Sequence, residues 1–244
     1  MPEITEIFFD CDNTLVLSEE LAFEACADLA NEILEEQNIP DRYTGDQLIQ
    51  DFVGQNFRGM MASLQAKYKF ELSQEKLEHY VKKEEDKVIA KLEEKAQPCV
   101  GVTEELEKLF ESKKYGLAVV SSSALRRVRA SIKKVGQDKY FDPENVFSAA
   151  TSLPKPTSKP DPAIYLHALE VRNKKPEEVV AVEDSKSGAL SAVRAGIPVI
   201  AYVGSYPGDE KQLEIAQVLE GLGAKVVMRD WSEFPKCLAE IEEA

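Results

Sequence analysis

The sequence predicts an α/β protein: a parallel sheet with helices on both faces, and a helical segment inserted after the first strand. Two observations favour this class. Beyond residue 97, short apolar runs alternate with segments of helical spacing, which is the order of elements in a parallel sheet. Between residues 16 and 96 the spacing is helical throughout. An apolar strand at 7–9 precedes this helical stretch, so we expect it to join the same sheet as the later strands.

The first strand runs directly into two carboxylates, Asp10 and Asp12. Residues two apart on a strand point the same way, so both side chains can face one site. Ligands of α/β proteins bind beyond the carboxyl ends of buried parallel strands. Carboxylates this close resist ionising together, so either one is protonated or a cation lies between them. Such a pair can attack a substrate or transfer a proton, although a surface turn rich in Asp and Asn would have the same composition.

The inserted segment contains four predicted helices. In the first of them Leu21, Ala25 and Leu29 recur at helical spacing, and Ser18 is a suitable N-cap. Asn38, Pro40 and Gly45 then interrupt the helical pattern. The predicted helices are Glu19 to Glu36, 46–53, 57–68 and Gln74 to about Glu94.

Strands and helices alternate in the second half of the chain. The predicted strands are Leu117 to Val120, Val146 to Ser148, Val179 to Val182, Pro198 to Val203 and Lys225 to Met228. The predicted helices are Ala124 to Val135, Asp161 to Leu169, Ser187 to Ala195, 209–221 and 232–242.

The 244 residues carry a formal net charge of −14. An acidic protein repels phosphate backbones, so we expect no nucleic-acid partner, and an anionic substrate must be held by local cations. The acidic N-terminus lacks the features of a signal peptide, and no apolar run approaches the roughly 20 residues that cross a bilayer. We therefore expect a cytoplasmic protein with no membrane partner, and the acidic surface fits a monomer.

Cysteine and histidine are scarce. The two histidines, His79 and His167, give little support to a histidine-dependent triad or a zinc site. The cysteines lie far apart, without a metal-binding spacing, and fit reduced thiols. They are Cys11, Cys26, Cys99 and Cys237.

Polar residues suited to phosphate chemistry collect in four places. They are Asp10 to Thr14, Ser121 to Ser123, the segment around Lys159 in TSKPDPAIY, and Glu183 with Asp184. Taken singly, each has a simpler explanation as a helix cap or a loop, and Lys155 is as plausible a cation as Lys159. Taken together, they supply carboxylates that suit Mg²⁺, and a hydroxyl and a cation that suit phosphoryl oxygens.

Four segments resemble the motifs of the haloacid dehalogenase-like hydrolases. In chain order they are FDCDNTL, VVSSS, KPDPAIY and VEDSKSGALSAVRAG. Their order and spacing agree with the branch that carries a helical cap after the first strand, which includes sugar-phosphate phosphatases, phosphoglycolate phosphatases and β-phosphoglucomutase. The resemblance covers essentially the whole chain. It implies a Rossmann-like α/β core for residues 1–15 and 97–244 and a small all-helical cap domain for residues 16–96.

The resemblance implies a role for each acidic motif residue. Asp10 would be the nucleophile that forms an aspartyl-phosphate. Asp12 would be the general acid, and then the base for the attacking water. Mg²⁺, the implied cofactor, would be held by Asp10, the Asp12 backbone carbonyl and Asp184. Glu183 would be a further ligand or a neighbour of the ligands.

The resemblance also implies the phosphate-binding residues. Ser121, with neighbouring Ser122, and Lys159 would hold the transferring phosphoryl group. The segment KPDPAIY favours Lys159 over Lys155.

Two residues of the first motif depart from the usual pattern. Asn13 stands where glycine is common, which is tolerable because asparagine also accepts turn conformations. Cys11 is an unusual middle residue, and a thiol beside a nucleophile invites a redox role. We interpret it as a small buried apolar filler.

The expected function is a Mg²⁺-dependent phosphatase that acts on a small phosphorylated metabolite, with sugar or polyol phosphates favoured. Gln55, Asn56 and Arg58 are candidate specificity residues, because an arginine there could bind a carboxylate or a second phosphate. An ordinary exposed arginine is an equally good interpretation of Arg58.

Other functions stay open. A phosphomutase of the β-phosphoglucomutase type shares the machinery, although the segment SEELAFEAC lacks the histidine that mutase-like relatives carry there. A non-catalytic phospho-ligand-binding protein of the same fold would show a lost motif residue, and none is lost. Asp12 argues against a haloalkanoate dehalogenase, because a leaving halide needs no proton. A phospho-receiver domain is shorter and has its phosphorylated Asp further from the start of the domain.

Overall fold

The computed structural model describes residues 3–52 and 57–243. The chain divides into two compact units. Met1–Leu17 and Gln97–Ala244 form the first unit, and Ser18–Ala96 form the second.

The first unit is built on a six-stranded parallel sheet. The strands among the described residues are β1 (Glu6–Phe9), β2 (Val16–Leu17), β3 (Gln97–Pro98), β4 (Gly116–Ser121), β5 (Val146–Ser148), β6 (Val179–Glu183), β7 (Val199–Tyr202) and β8 (Val226–Met228). The sheet has the order β5-β4-β1-β6-β7-β8, and every neighbouring pair is parallel. The strands β1 and β6 are buried along their whole length, as expected for a sheet covered on both faces. The predicted fold class is confirmed.

Ten α-helices lie in the described parts of the chain. Those of the second unit are α1 (Glu19–Glu36), α2 (Gly45–Asp51), α3 (Phe57–Tyr68) and α4 (Gln74–Lys95). Those of the first unit are α5 (Val102–Ser112), α6 (Leu125–Lys134), α7 (Ala163–Arg172), α8 (Lys186–Arg194), α9 (Asp209–Gly221) and α10 (Phe234–Glu243). None of them is long and apolar enough to cross a membrane.

The two faces of the sheet have separate apolar contacts. Phe8 and Phe9 are neighbours on β1, so their side chains point to opposite faces. The ring of Phe8 stacks on Tyr165 of α7 at a centroid distance of 6.5 Å. The ring of Phe9 packs against Trp231 at 6.2 Å and Phe234 at 6.5 Å. These contacts anchor β1 at the centre of the sheet, and with it the two aspartates that follow.

One helix and two short strands of the first unit were not predicted from the sequence. Helix α5 buries Val102, Leu106 and Leu109 at helical spacing. Charged residues between these positions make the apolar pattern hard to recognise in the sequence. The strands β2 and β3 pair antiparallel over two residues each, which is too short for any periodicity to appear. They join the two places where the chain leaves and re-enters the first unit.

The predicted ends of three helices were wrong by two or more residues. The helix predicted over 232–242 begins at Phe234. The helix predicted from Asp161 to Leu169 spans Ala163–Arg172. Asp161 precedes the helix, and its side chain accepts a hydrogen bond from the Ala163 backbone N–H at 2.9 Å. The helix predicted over 46–53 corresponds to α2, which ends at Asp51, and residue 53 lies outside the described residues.

The second unit combines an apolar interior with charged pairs on its helices. Ile33 of α1, Leu48 of α2 and Leu64 of α3 are fully buried in one cluster. Lys91 of α4 lies 3.0 Å from the Asp28 carboxylate on α1. Some charged side chains of α4 therefore form ion pairs with carboxylates of α1.

We expect Arg172→Leu to destabilise the first unit. Glu6 is only 3% exposed, and its carboxylate accepts hydrogen bonds from the Arg172 guanidinium at 2.9 and 3.2 Å. Removing the arginine leaves a buried unpaired charge, which costs about 3 kcal/mol. Urea unfolding would measure the loss.

The matched control is Lys236→Ala, which breaks an exposed pair with Glu240 at 3.8 Å. It should change the free energy of unfolding by less than about 0.5 kcal/mol. The double variant Glu6→Leu/Arg172→Leu should recover much of the loss, because no charge is left unpaired. Equal effects of Arg172→Leu and the control would contradict this interpretation.

Candidate active site

The predicted site residues meet at the carboxyl edge of the sheet. Asp10 directly follows β1, while Ser121 and Glu183 are the last residues of β4 and β6. Because β1 lies between β4 and β6, the topology alone places the three strand ends side by side. All three side chains are buried.

Lys159 is the cation at the centre of this edge. Its ammonium group donates to Asp10 Oδ1 at 2.6 Å, to Glu183 Oε1 at 2.6 Å and to the Val120 carbonyl at 2.7 Å. The residue is 7% exposed, whereas Lys155 lies on the surface. Of the two lysines, Lys159 is therefore the one that lies beside Asp10 and Glu183.

The three serines at the end of β4 and directly after it make three different contacts. Ser121 Oγ accepts from the Ser123 backbone N–H at 3.0 Å. Ser122 Oγ accepts from the Lys159 backbone N–H at 3.1 Å, which ties the lysine segment to this loop. Ser123 Oγ donates to Asp12 Oδ2 at 2.6 Å. No role was predicted for Ser123, and its position in the run of serines is the one signal in the sequence that points to it.

Three carboxylates form a cluster that could hold a metal ion. Single oxygens of Asp10, Glu183 and Asp184 all lie within 4.8 Å of one another. The Asp184 carboxylate also accepts from the Thr14 hydroxyl at 3.3 Å, and its carbonyl accepts from the Tyr206 hydroxyl at 3.2 Å. An all-oxygen, acidic donor set suits a hard divalent cation. The Asp12 carboxylate is not part of this cluster.

Glu183 occupies a closely fitted space. Its Oε1 accepts from the Tyr165 hydroxyl at 2.5 Å as well as from Lys159. Its Oε2 is buried and has no hydrogen-bond partner among the described residues, so an oxygen is left for a cation. A Cβ on Gly188 would lie 1.7 Å from Oε2, so only glycine leaves room for the carboxylate. Tyr165 and Gly188 lie within the third and fourth motifs, but no role was predicted for either residue.

Burial and charge pairing oppose one another in this cluster. Burial raises the pKa of the Asp10 carboxyl above its ordinary value, and Lys159 counteracts that effect. Burial raises the pKa of Glu183 to about 7, again against the influence of Lys159. Burial by itself would lower the pKa of the Lys159 ammonium, but Asp10 and Glu183 together raise it above its ordinary value. The lysine therefore keeps its charge and offsets the cost of burying the carboxylates.

The two unusual residues of the first motif have clear environments. Asn13 has a φ of 57°, in the left-handed region that asparagine tolerates better than most residues. Cys11 is fully buried, and burial together with Asp12 and Asp10 raises the pKa of its thiol well above the ordinary value. A protonated, enclosed thiol is typical of a small apolar filler.

The candidate specificity residues lie in the second unit. Gln55 and Asn56 fall outside the described residues. Arg58 lies in the first turn of α3, and its guanidinium donates to both Glu78 carboxylate oxygens at 2.8 and 2.6 Å. This exposed pair already neutralises the arginine within its own unit. Its suggested role with a substrate anion stays a prediction.

Comparison with known proteins gives concordant results. The sequence profile of the haloacid dehalogenase-like hydrolases matches residues 7–202. A phosphorylated carbohydrates phosphatase of Thermotoga maritima is 35% identical over 207 residues, which cover 85% of this chain and 88% of that protein. A 6-phosphogluconate phosphatase of Escherichia coli is 28% identical, and the match covers 83% and 84% of the two chains.

A solved structure extends the similarity to three dimensions. A conserved haloacid dehalogenase-like protein of unknown function from Agrobacterium tumefaciens superposes with a TM-score of 0.72 and 28% identity. The match covers 97% of this chain and 98% of that one. The similarity therefore extends over nearly the full length of both chains.

We expect Gly188→Ala to displace the Glu183 carboxylate, because the added Cβ would overlap Oε2. Overpacking and a weakened contact with Lys159 should lower the free energy of unfolding by about 2 kcal/mol. Gly221→Ala is the control, since a Cβ there meets nothing within 4 Å and alanine favours the helix. The free energy of unfolding of both variants would be measured by chemical denaturation. Equal stability of Gly188→Ala and Gly221→Ala would contradict the interpretation.

Proposed function

This chain belongs to the haloacid dehalogenase-like hydrolase family, and we propose that it is a Mg²⁺-dependent phosphatase of phosphorylated carbohydrates. The observation that carries the proposal is the buried Lys159 ammonium, shared between Asp10 and Glu183 at the ends of neighbouring strands. This arrangement places an anionic nucleophile, Asp10, and a fixed cation, Lys159, together in a buried site. Phosphoryl transfer depends mainly on such positioning and charge neutralisation.

Asp10 is the proposed nucleophile. One of its carboxylate oxygens forms a bond to phosphorus while the ester P–O bond breaks in line with it. Lys159 offsets the repulsion between the anionic carboxylate and the anionic phosphoryl group. Ser121, with Ser122 beside it, is proposed to bind the phosphoryl oxygens. The first step leaves an aspartyl-phosphate.

Asp12 is the proposed proton carrier. Its protonated carboxyl donates to the oxygen of the leaving alcohol in the first step. In the second step it accepts a proton from the water that attacks phosphorus, the bond to Asp10 breaks, and inorganic phosphate leaves. The hydrogen bond from Ser123 to Asp12 Oδ2 supports this role, because it holds the carboxyl group in a fixed orientation at the site.

The proposed metal ligands are Asp10, Asp184, Glu183 and the backbone carbonyl of Asp12. The clustering of three carboxylates within 4.8 Å supports this set. When bound, Mg²⁺ would neutralise charge on the phosphoryl oxygens and the carboxylates. The net charge of −14 makes local cations necessary for any anionic substrate.

The proposed substrates are sugar or polyol phosphates. Two relatives named for phosphorylated carbohydrates and for 6-phosphogluconate support this class. We also propose that the helical unit acts as a cap that selects the leaving group, with Gln55, Asn56 and Arg58 as candidate specificity residues. We also propose that the protein is a monomer.

We expect the protein to release phosphate from one or a few members of a panel of phosphorylated metabolites. The panel should contain hexose, pentose and polyol phosphates, 6-phosphogluconate, phosphoglycolate, nucleoside monophosphates and a sugar bisphosphate. EDTA should abolish the release and added Mg²⁺ should restore it. Conversion of a sugar phosphate into its isomer without release of phosphate would instead identify a mutase.

Asp10→Asn should lower kcat at least a thousandfold on the preferred substrate, because the amide cannot attack phosphorus. Asp209→Asn, a change at an exposed residue in the first turn of α9, is the matched control and should leave the rate unchanged. Wild-type turnover by the Asp10 variant would refute the proposed mechanism.

A further inference from the structure

The hydrogen bonds of the Lys159 ammonium are fully used. An ammonium group has three N–H donors, and here they bind Asp10 Oδ1, Glu183 Oε1 and the Val120 carbonyl. To hold a phosphoryl oxygen, the lysine must turn at least one N–H away from a present partner. That partner then loses a hydrogen bond inside the protein, where the loss is expensive.

Glu183 is the partner equipped for this exchange. Its Oε1 accepts a second hydrogen bond, from the Tyr165 hydroxyl at 2.5 Å. Among the described residues, Lys159 is the only side chain that donates to Asp10 or to the Val120 carbonyl, and Asp10 has in addition a backbone hydrogen bond with Cys11. Oε2 already lies against Gly188, in the space that a Cβ there would need, so the carboxylate cannot move further in that direction to find another partner.

Resting on the proposed role of Lys159, we propose that Tyr165 is a positioning residue for phosphate binding. Its hydroxyl keeps Glu183 hydrogen-bonded and in place when Lys159 turns an N–H toward the phosphoryl group. Tyr165 does not touch the reacting atoms in this proposal. It acts through Glu183 by lowering the cost of the lysine's rearrangement.

The position of the tyrosine ring allows a clean test. The ring is fully buried, stacks on Phe8 and lies 5.2 Å from the Lys159 ammonium nitrogen. Phenylalanine can keep these ring contacts, so Tyr165→Phe removes the hydroxyl alone. The matched control is Tyr115→Phe, whose hydroxyl donates to the Glu242 carboxylate at 2.8 Å, away from the site.

The experiment measures the affinity for inorganic phosphate by calorimetric titration, first without metal and then with Mg²⁺. The wild type, Tyr165→Phe and Tyr115→Phe are compared, together with their KM, kcat and thermal unfolding without phosphate. We expect Tyr165→Phe to bind phosphate about tenfold more weakly in both buffers and to show a similar rise in KM. Its unfolding temperature without phosphate should match that of the control, because Lys159 still binds Glu183 in that state.

Two results would overturn the proposal. One is wild-type phosphate affinity in Tyr165→Phe. The other is a lower unfolding temperature with unchanged phosphate affinity, which would mark a purely structural hydroxyl. In either case the proposed function stands if the wild type still releases phosphate. A wild type that neither binds nor releases phosphate would overturn the proposed function and this inference together.

Discussion

The ammonium group of Lys159 lies between carboxylates that end two neighbouring strands of the sheet. The order of the strands brings Asp10 and Glu183 together, and burial removes the water that would otherwise solvate them. An unpaired ion in such a place costs several kcal/mol, so the carboxylates need the lysine and the lysine needs them. The contacts of Tyr165, Gly188 and Ser122 all serve to hold this arrangement. The candidate site therefore depends on the buried positive charge of Lys159.

The same arrangement links the fold to the proposed chemistry. A parallel sheet covered on both faces gathers its polar residues at the carboxyl edge, because that is where the strands stop and the loops begin. The protein is acidic overall, and Lys159 places a positive charge in direct contact with the carboxylate that is proposed to attack. A negatively charged substrate can then approach a negatively charged nucleophile.

Much of this organisation could be predicted from the sequence, because strand ends and motif order are local signals. The strand before Asp10 and the one ending at Glu183 are short apolar runs that stop at polar residues. Their positions in the chain could therefore be predicted. The choice between Lys155 and Lys159 could not be made from chemistry, and it needed either the resemblance or the structure. The hydrogen bonds from Ser123 to Asp12 and from Tyr165 to Glu183 join residues 111 and 18 positions apart. Periodicity and spacing do not specify which side chains of distant segments form hydrogen bonds with one another. These two contacts therefore could not have been predicted.

The stereochemistry at phosphorus tests the central claim, that Asp10 attacks before water does. The preferred substrate would be prepared as a phosphorothioate made chiral at phosphorus by oxygen-18 and hydrolysed in water enriched in oxygen-17, and the configuration of the inorganic thiophosphate, which carries sulfur and three different oxygen isotopes, would be determined. Two in-line displacements each invert the configuration, so the account predicts net retention. Net inversion would mean that water attacks phosphorus directly, and it would contradict an aspartyl-phosphate on Asp10.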